Sequence, residues 1–486
     1  MRDVIKPQEP HRAMQDQDLP LCVDMDGTLI RTEMLHEAAL MLVRRNPLIL
    51  FCFLAWLAKG RVHLKRQVAL RAQIDIASIP YDERVLHWLR NREDKRLRVL
   101  CTASDEIFGR QVAAHVGLFD AVMGSDGVRD LGGYGKRDAL CERYGERGFD
   151  YAGNAAPDLR VWPHARRAIV VNASARVLRR AQAVSEVERV FPHVPAGWRA
   201  WLVALRVHQW PKNALVLVPL GAAHLAFAPM AVMSALIAFL AFSLCASGAY
   251  VLNDLFDLEA DRQHPRKRQR PFACGSLSIR SGLVASALLT LAAFTVASAL
   301  SPRFMGVLLV YAIITLTYSL TLKRVVILDV VTLAVLYTTR IIGGAVAIAV
   351  PTSLWLLAFS MFLFLSLAIV KRYAEVHRIA ATSETKVAGR GYAVDDLPLI
   401  QSLGMATGYL SVLVLAFYIN STKSTELYRH HHVLWLLTPL LLYWISRVWL
   451  LARRGGMHDD PVVFALTDKV SLAVLGIFAL VIFLAI

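Results

Sequence analysis

Two groups of acidic residues in the 486-residue chain have the types and spacing to do chemistry. The first is Val23-Asp24-Met25-Asp26-Gly27-Thr28-Leu29, which follows a short apolar run. A strand ending there puts both carboxylates at one sheet edge, because alternate positions of an extended chain face the same way. Gly27 then permits a turn that brings backbone N–H groups near a phosphate. One carboxylate can attack phosphorus while the other passes a proton to the leaving oxygen, an aspartyl-phosphate route. Three further pieces follow in order. Thr102, after the apolar run 97–101, offers a hydroxyl to a phosphate oxygen. Lys136, in the loop GGYGKRD, can neutralise phosphate charge. Asp158, after Tyr151-Ala152-Gly153-Asn154, is a metal-facing group.

The second group is Asn253-Asp254-Leu255-Phe256-Asp257-Leu258-Glu259-Ala260-Asp261, at the end of a long apolar run. Asp254, Asp257 and Asp261 stand at i, i+3 and i+7, one stripe of a helix. Three carboxylates on one stripe repel one another unless a cation lies between them. That many hard oxygens suit Mg²⁺, which keeps its waters and bridges to substrate phosphates. The basic run from Arg262 to Arg270 follows, with Arg268 a candidate to grip a diphosphate or to mark a positive-inside loop. Other candidates sit at neighbouring segment ends: Lys212 and Asn213 in His208-Gln209-Trp210-Pro211-Lys212-Asn213, Tyr318 and Lys323 in YSLTLK, and then Lys371, Arg372 and Glu375. Asp329 and Arg340 share a face within one apolar segment, and charges at membrane depth are functional candidates by default.

The elements that must position these groups fall into two blocks. Before about residue 195, short apolar runs (21–23, 97–101, 168–171) alternate with charged, helix-compatible stretches, which reads as a soluble α/β unit. The stretch 191–198, FPHVPAGW, reads as a linker. After it the chain is dominated by long apolar segments, expected to form about nine spans: 214–230, 231–252, 282–301, 303–321, 325–349, 353–370, 400–420, 433–452 and 467–486. The expected domains are therefore 1–195 and 196–486. Mean hydropathy of +0.45 excludes a disordered chain and argues against an ordinary soluble enzyme. Lys and Arg crowd the loops after the second, fourth, sixth and eighth spans, against Arg303, Lys423 and Arg429 on the other side. This bias predicts a multi-pass plasma-membrane protein of bacterial inner-membrane type, its N-terminal domain and membrane active site cytoplasmic and its C-terminus outside. It also accounts for the net charge of +16 without a nucleic-acid partner.

The segment 46–58, NPLILFCFLAWLA, is apolar but short for a span, and Lys59, Arg61, Lys65 and Arg66 follow it. It reads either as a buried helix of the soluble domain or as an interfacial helix on the anionic membrane surface. The six cysteines show no C-x-x-C pair and read as reduced thiols rather than a disulfide or zinc framework. The polar N-terminal residues contain no cleavable signal pattern.

The four ordered pieces around Asp24 resemble the haloacid dehalogenase (HAD) superfamily over about residues 18–185. The resemblance implies a Rossmann-like phosphatase fold with Asp24 as nucleophile and Asp26 as general acid/base. It implies Thr102 and Lys136 as phosphate holders, and Asp24, Asp26 and Asp158 at a Mg²⁺ site. Asn154 departs from the acidic residue usual there, and an amide offers one neutral oxygen.

The pattern N-D-x-x-D-x-x-x-D at a span's end resembles the UbiA-type prenyltransferase superfamily, over about residues 200–486. The flanking H-Q-W-x-K-N, Y-S-x-x-L-K and L-D-V look most like its branch containing decaprenyl-phosphate phosphoribosyltransferase. That branch moves 5-phosphoribose from phosphoribosyl pyrophosphate to a polyprenyl phosphate. The resemblance implies Asp254, Asp257 and Asp261 at Mg²⁺, with Lys212, Asn213, Asn253, Arg268, Tyr318, Lys323, Asp329 and Arg340 toward substrate. The alternative branch moves a prenyl chain from its diphosphate to an aromatic acid such as 4-hydroxybenzoate, but its D-x-x-x-D second motif is absent; Asp395-Asp396 is at best a displaced relative. A transporter lacks an internal repeat here, and it leaves the aspartate stripe unexplained, as does a receptor. Oligomeric state is open, a homo-oligomer included.

Overall fold

The structure, a computed structural model, describes residues 19–94, 96–380, 391–457 and 460–486. The signal-peptide reading concerns residues 1–18, which lie outside the described residues, as do Lys386 and Arg390 of the loop charges. Two compact units divide the chain: Met1–Trp201 with Asp254–Gly282, and Leu202–Asn253 with Leu283–Ile486.

The first unit is built on a six-stranded sheet in the order β3-β2-β1-β4-β5-β6, all pairs parallel. Its strands are β1 (Leu21–Asp24), β2 (Arg98–Asp105), β3 (Ala121–Ser125), β4 (Asp150–Gly153), β5 (Arg167–Val171) and β6 (Glu186–Phe191). Its helices are α1 (Met34–Arg45), α2 (Ile49–Ala58), α3 (Arg61–Arg71), α4 (Glu83–Arg90), α5 (Glu106–Val116), α6 (Tyr134–Tyr144) and α7 (Ala175–Val184). Strand residues alternate between two cores: Leu21, Val23, Leu100 and Ile169 face one, Cys22, Val99, Cys101 and Ala168 the other. A parallel sheet is covered on both faces, so its strands read as unbroken apolar runs. The chain order reverses between β1 and β4, and ligands of such sheets gather at the carboxyl ends of the strands beside that point. Asp24 is the last residue of β1.

Of the two readings of 46–58, the fully buried helix is not what forms. Ile49, Phe53 and Trp56 lean on the core, yet no residue of α2 is buried.

In the second unit, α8 (Trp198–Ala204) leads to a 3₁₀ helix (Val207–Leu217), and α9 (Val218–Ala222) follows it. The expected span 214–230 is therefore not one helix. Pro211, Pro219 and Pro229 each remove a backbone donor, and apolar composition alone does not register that. Then come α10 (Pro229–Phe256), the short α11 (Leu258–Gln263), α12 (Ile279–Ser298), α13 (Pro302–Leu320), α14 (Leu328–Ala347), α15 (Leu354–Ala380), α16 (Leu397–Ile419), α17 (Thr422–Leu427), α18 (Leu437–Arg453), α19 (Pro461–Thr467) and α20 (Lys469–Ala485). Among the described residues seven helices are long and apolar enough to cross a membrane, eight if the pair α19–α20, bent by 77°, counts as one. Of the nine expected spans, 214–230 has no continuous helix and 467–486 counts only with the bend. The bend has a local cause: Asp460 and Asp468 each cap a new helix start, their carboxylates accepting from Val462 N and Ser471 N.

Candidate active sites

The sequence around Asp24 folds into a compact charged cluster. Lys136, from α6, places its ammonium 2.5 Å from Asp24 Oδ1 and 4.0 Å from Asp158 Oδ1. It also donates to the Tyr151 hydroxyl (2.9 Å), which donates to Asp158 Oδ1 (2.8 Å). Asp158 Oδ2 accepts from the backbone N–H groups of Asn154 and Ala155, both at 2.9 Å. Thr28 Oγ1 donates to Asp24 Oδ2 over 3.3 Å. Burial pushes the Asp24 carboxyl up to about 7, with Lys136 pulling it back and Asp158 adding to the rise. The Lys136 ammonium is held above its ordinary value: burial opposes its charge, but Asp24 and Asp158 outweigh burial. Gly27 is required by geometry: its φ is +77°, and a Cβ there would lie 1.9 Å from Asn154 Nδ2.

Asp26 sits differently from Asp24. Its Oδ1 accepts from Met34 N at the start of α1 (2.8 Å), and its Oδ2 accepts from Thr102 Oγ1 (3.0 Å) and Ser104 Oγ (2.8 Å). Burial raises its pKa against those three donors. Such a carboxyl suits proton transfer. As a metal ligand it would have to give up bonds already made, so the expected metal role of the Asp26 side chain is not what its placement favours. Thr102, expected at phosphate, is engaged with Asp26. Ser104 was missed by sequence reasoning, and Tyr151, named there only within the Tyr151–Asn154 run, proves to link Lys136 to Asp158.

The second aspartate group does not stay on one stripe. Helix α10 stops at Phe256, and Asp257 has φ −99° and ψ 12° as the cap of α11. Asp254 and Asp261 nevertheless meet: both accept from one nitrogen, Arg270 Nη1, at 3.1 and 2.7 Å. Asp257 turns to Arg44 of α1, at 3.7 Å. Arg268 is exposed, so Arg270 rather than Arg268 is the arginine that reaches the carboxylates. Burial lifts the Asp261 carboxyl above its ordinary range; Arg270 opposes the rise and Asp254 adds to it. Two buried carboxylates brought together on one guanidinium nitrogen offer the hard oxygens that suit a divalent ion such as Mg²⁺.

The same stretch is pinned inside the first unit. Arg262 pairs with Glu37 of α1 (Nη2 to Oε1, 2.6 Å; Nη1 to Oε2, 3.2 Å), both side chains buried, and Arg262 Nε donates to Ala273 O. Thr32 Oγ1 also donates to Glu37 Oε1 (2.6 Å). Glu37→Ala strands a buried guanidinium, a change that costs about 3–5 kcal/mol. The expected result is faster proteolysis between Arg262 and Gly275 at unchanged stability of the six-stranded sheet. Equal cleavage rates in the variant and the parent would refute that role.

Polar clusters of the second unit gather the remaining expected residues. Lys212 and Lys371 both lie 2.8 Å from Asp460 Oδ2, and Tyr337 donates to Asp460 Oδ1 (3.3 Å). Two ammonium groups on one carboxylate leave a net positive site suited to a phosphate. Arg372 contacts Asp329 Oδ2, Glu375 Oε2 (2.5 Å) and the Tyr318 hydroxyl (3.2 Å), while Tyr392 donates to Asp329 Oδ1 (2.6 Å). Arg340 donates to Asn213 Oδ1 (2.8 Å), Leu336 O (2.6 Å) and the Tyr311 hydroxyl (2.8 Å), and Asn213 donates to Ser243 Oγ (3.1 Å). Asp329 and Arg340, expected to act toward one substrate, thus belong to separate clusters, each with protein partners. Lys323 donates to Asn253 Oδ1 over 3.3 Å. Asp460 and Tyr392 were missed; Asp460 follows the eighth expected span, far in sequence from the lysines it joins.

The UbiA prenyltransferase family profile matches residues 214–467, more than half of the chain. The chain belongs to that family. It is 37% identical to the uncharacterized protein y4nM of Sinorhizobium fredii, over 94% of this chain and 89% of that protein. It is 30% identical to the decaprenyl-phosphate phosphoribosyltransferase of Mycobacterium tuberculosis, over 58% of this chain and 93% of that one. A UbiA homolog from Archaeoglobus fulgidus, in a structure bound to GPP and Mg²⁺, superposes with a TM-score of 0.46 at 14% identity, over 59% of this chain and 99% of that chain. UbiA-family members are membrane transferases, and the seven or more membrane-length helices make this one a multi-pass membrane protein.

Proposed function

We propose that the UbiA domain, residues 196–486, transfers 5-phosphoribose from phosphoribosyl pyrophosphate to a polyprenyl phosphate, and that a HAD-type domain, residues 1–195, removes the 5-phosphate of the product. The observation that carries the first step is the pair of buried carboxylates, Asp254 and Asp261, converged on one cation. The choice of branch is supported by the flanking motifs and by the 30% identity to a protein of that name. Asp254, Asp261 and Asp257 would hold Mg²⁺, which supplies charge stabilisation on the departing pyrophosphate. An oxygen of the lipid phosphate attacks the anomeric carbon, the bond from that carbon to pyrophosphate breaks, and pyrophosphate leaves. The lipid phosphate is already anionic and needs no general base. Lys212 and Lys371, sharing Asp460, and Lys323 beside Asn253 bind phosphate groups in this reading. The active side is cytoplasmic, on the Lys/Arg bias of the loops.

In the second step Asp24 attacks the 5-phosphorus, the bond to the ribose oxygen breaks, and Asp26 protonates that oxygen. Water then releases phosphate from Asp24, with Asp26 accepting its proton. The support is the D-x-D-G-T turn at the switch point of a parallel sheet, with Lys136 between Asp24 and Asp158. The first step is tested with the purified full chain, Mg²⁺ and decaprenyl phosphate. Pyrophosphate release with phosphoribosyl pyrophosphate is the expected result. Release only with prenyl diphosphate and 4-hydroxybenzoate would choose the aromatic branch instead.

A further inference from the structure

Helix α2 is ten residues of ILFCFLAWLA without a polar side chain, and its outer face is bare. Phe51 is 71% exposed and Leu54 66%, with Leu50 and Leu57 beside them. Ile49, Phe53 and Trp56, at helical spacing, take the opposite side against the core. At 1.5 Å per residue the helix is about 15 Å long, half of what a span requires. Its neighbours in sequence carry charge of one sign. Residues 38–74 contain no Asp or Glu but seven Lys and Arg. Arg44, Lys65 and Arg66 are paired with Asp257, Asp130 and Asp105. Arg45, Lys59 and Arg61, directly flanking α2, are exposed.

We propose that α2 docks into the headgroup region of a bilayer containing anionic lipid, with Phe51, Leu54 and Leu57 in the upper acyl layer and Arg45, Lys59 and Arg61 on lipid phosphates. The charge pattern separates this occupant from a protein partner. A protein interface surrounds its apolar centre with a polar rim, whereas an apolar face flanked by cations alone matches an anionic headgroup layer. The chain is already tethered by its membrane helices, so the bilayer is the surface present at the highest local concentration. The inference does not rest on the proposed reactions. It does have a consequence for them. Only residues 46–48 separate α2 from α1, and the first amide of α1 holds Asp26. The docked face therefore belongs to the same segment whose first amide holds Asp26.

Cys52 is exposed on α2 and provides the probe. A C141S/C274S background of the full chain is labelled at Cys52 with an environment-sensitive fluorophore and reconstituted in vesicles of phosphatidylethanolamine and phosphatidylglycerol. The expected result is a blue-shifted emission, strong quenching by lipids spin-labelled high on the acyl chain, and several-fold weaker quenching by aqueous iodide than in the L50D/L54D variant in the same vesicles. Replacing phosphatidylglycerol by phosphatidylcholine should raise iodide access. Wild-type protein quenched freely by iodide would overturn the proposal. So would shielding from both quenchers, which marks a protein, or a second copy, as the occupant.

Discussion

Asp254→Asn should lower pyrophosphate release by on the order of 100- to 1000-fold, the loss typical of removing one preorganised charge from a transition state. The substitution is chosen because it separates charge from shape. Asp254 is buried, and its Oδ1 accepts from Arg270 over 3.1 Å. Asparagine retains an oxygen for that bond, and Arg270 retains Asp261 at 2.7 Å. Thermal unfolding of the purified variant should therefore stay near that of the parent while turnover collapses. A purely structural role makes the opposite forecast. Asp254 would then be no more than a counter-ion for Arg270, its loss would lower stability, and residual activity would keep the parental Mg²⁺ requirement. In the proposed role, the Mg²⁺ concentration for half-maximal rate rises in the variant, because one negative ligand of two or three has gone. Full turnover in Asp254→Asn would remove the carboxylate–metal account altogether.

How much of this was legible in the sequence depends on which physical signal each feature used. The sheet was readable because burial on both faces forces runs such as Leu21-Cys22-Val23 and Ala168-Ile169-Val170, and the D-x-D-G-T turn follows from Gly27 having no Cβ to strike Asn154. The segments beyond residue 282 were readable from hydropathy alone. The expected span at 214–230 failed because hydropathy counts apolar side chains while Pro211, Pro219 and Pro229 act on the backbone. The stripe of aspartates was half readable. Spacing brings Asp254 and Asp261 to the same side, but the cap at Asp257 ends the helix and hands that residue to Arg44.

What stayed hidden was the choice of partners among like residues. Arg266, Arg268 and Arg270 are equivalent in composition, and only the turn ending at Pro271 decides which guanidinium reaches the carboxylates. Asp460 joins two lysines that lie on different elements. No local pattern announces such a meeting. The exposure of α2 was undecidable for a related reason: a ten-residue apolar run looks alike whether protein or lipid covers it.

Asp24→Asn should cut phosphate release from the lipid-linked phosphoribose by on the order of 1000-fold or more, while pyrophosphate release continues. An amide cannot form the acyl-phosphate bond, so residual turnover has no covalent route. The products of a reaction run with labelled phosphoribosyl pyrophosphate then diverge. The parent yields ribosylated lipid and free phosphate, whereas the variant accumulates the phosphorylated lipid. Asparagine retains an oxygen toward Lys136, which keeps Tyr151 and Asp158 as partners, so the fold should survive. The pH dependence supplies a second readout that a structural role would not move. With its carboxyl lifted to about 7 by burial, Asp24 is protonated at pH 5 and ionised at pH 8. Only the ionised form attacks phosphorus. The acid limb of the phosphate-release profile should therefore rise through about pH 7 rather than near the ordinary carboxylate value of about 4, and the pyrophosphate-release profile of the same protein should lack that limb. Added Mg²⁺ stabilises the carboxylate and should shift the limb to lower pH. Identical lipid products from the parent and Asp24→Asn would dismiss the phosphatase step while leaving the transferase reading intact, because the two reactions are scored by different leaving groups.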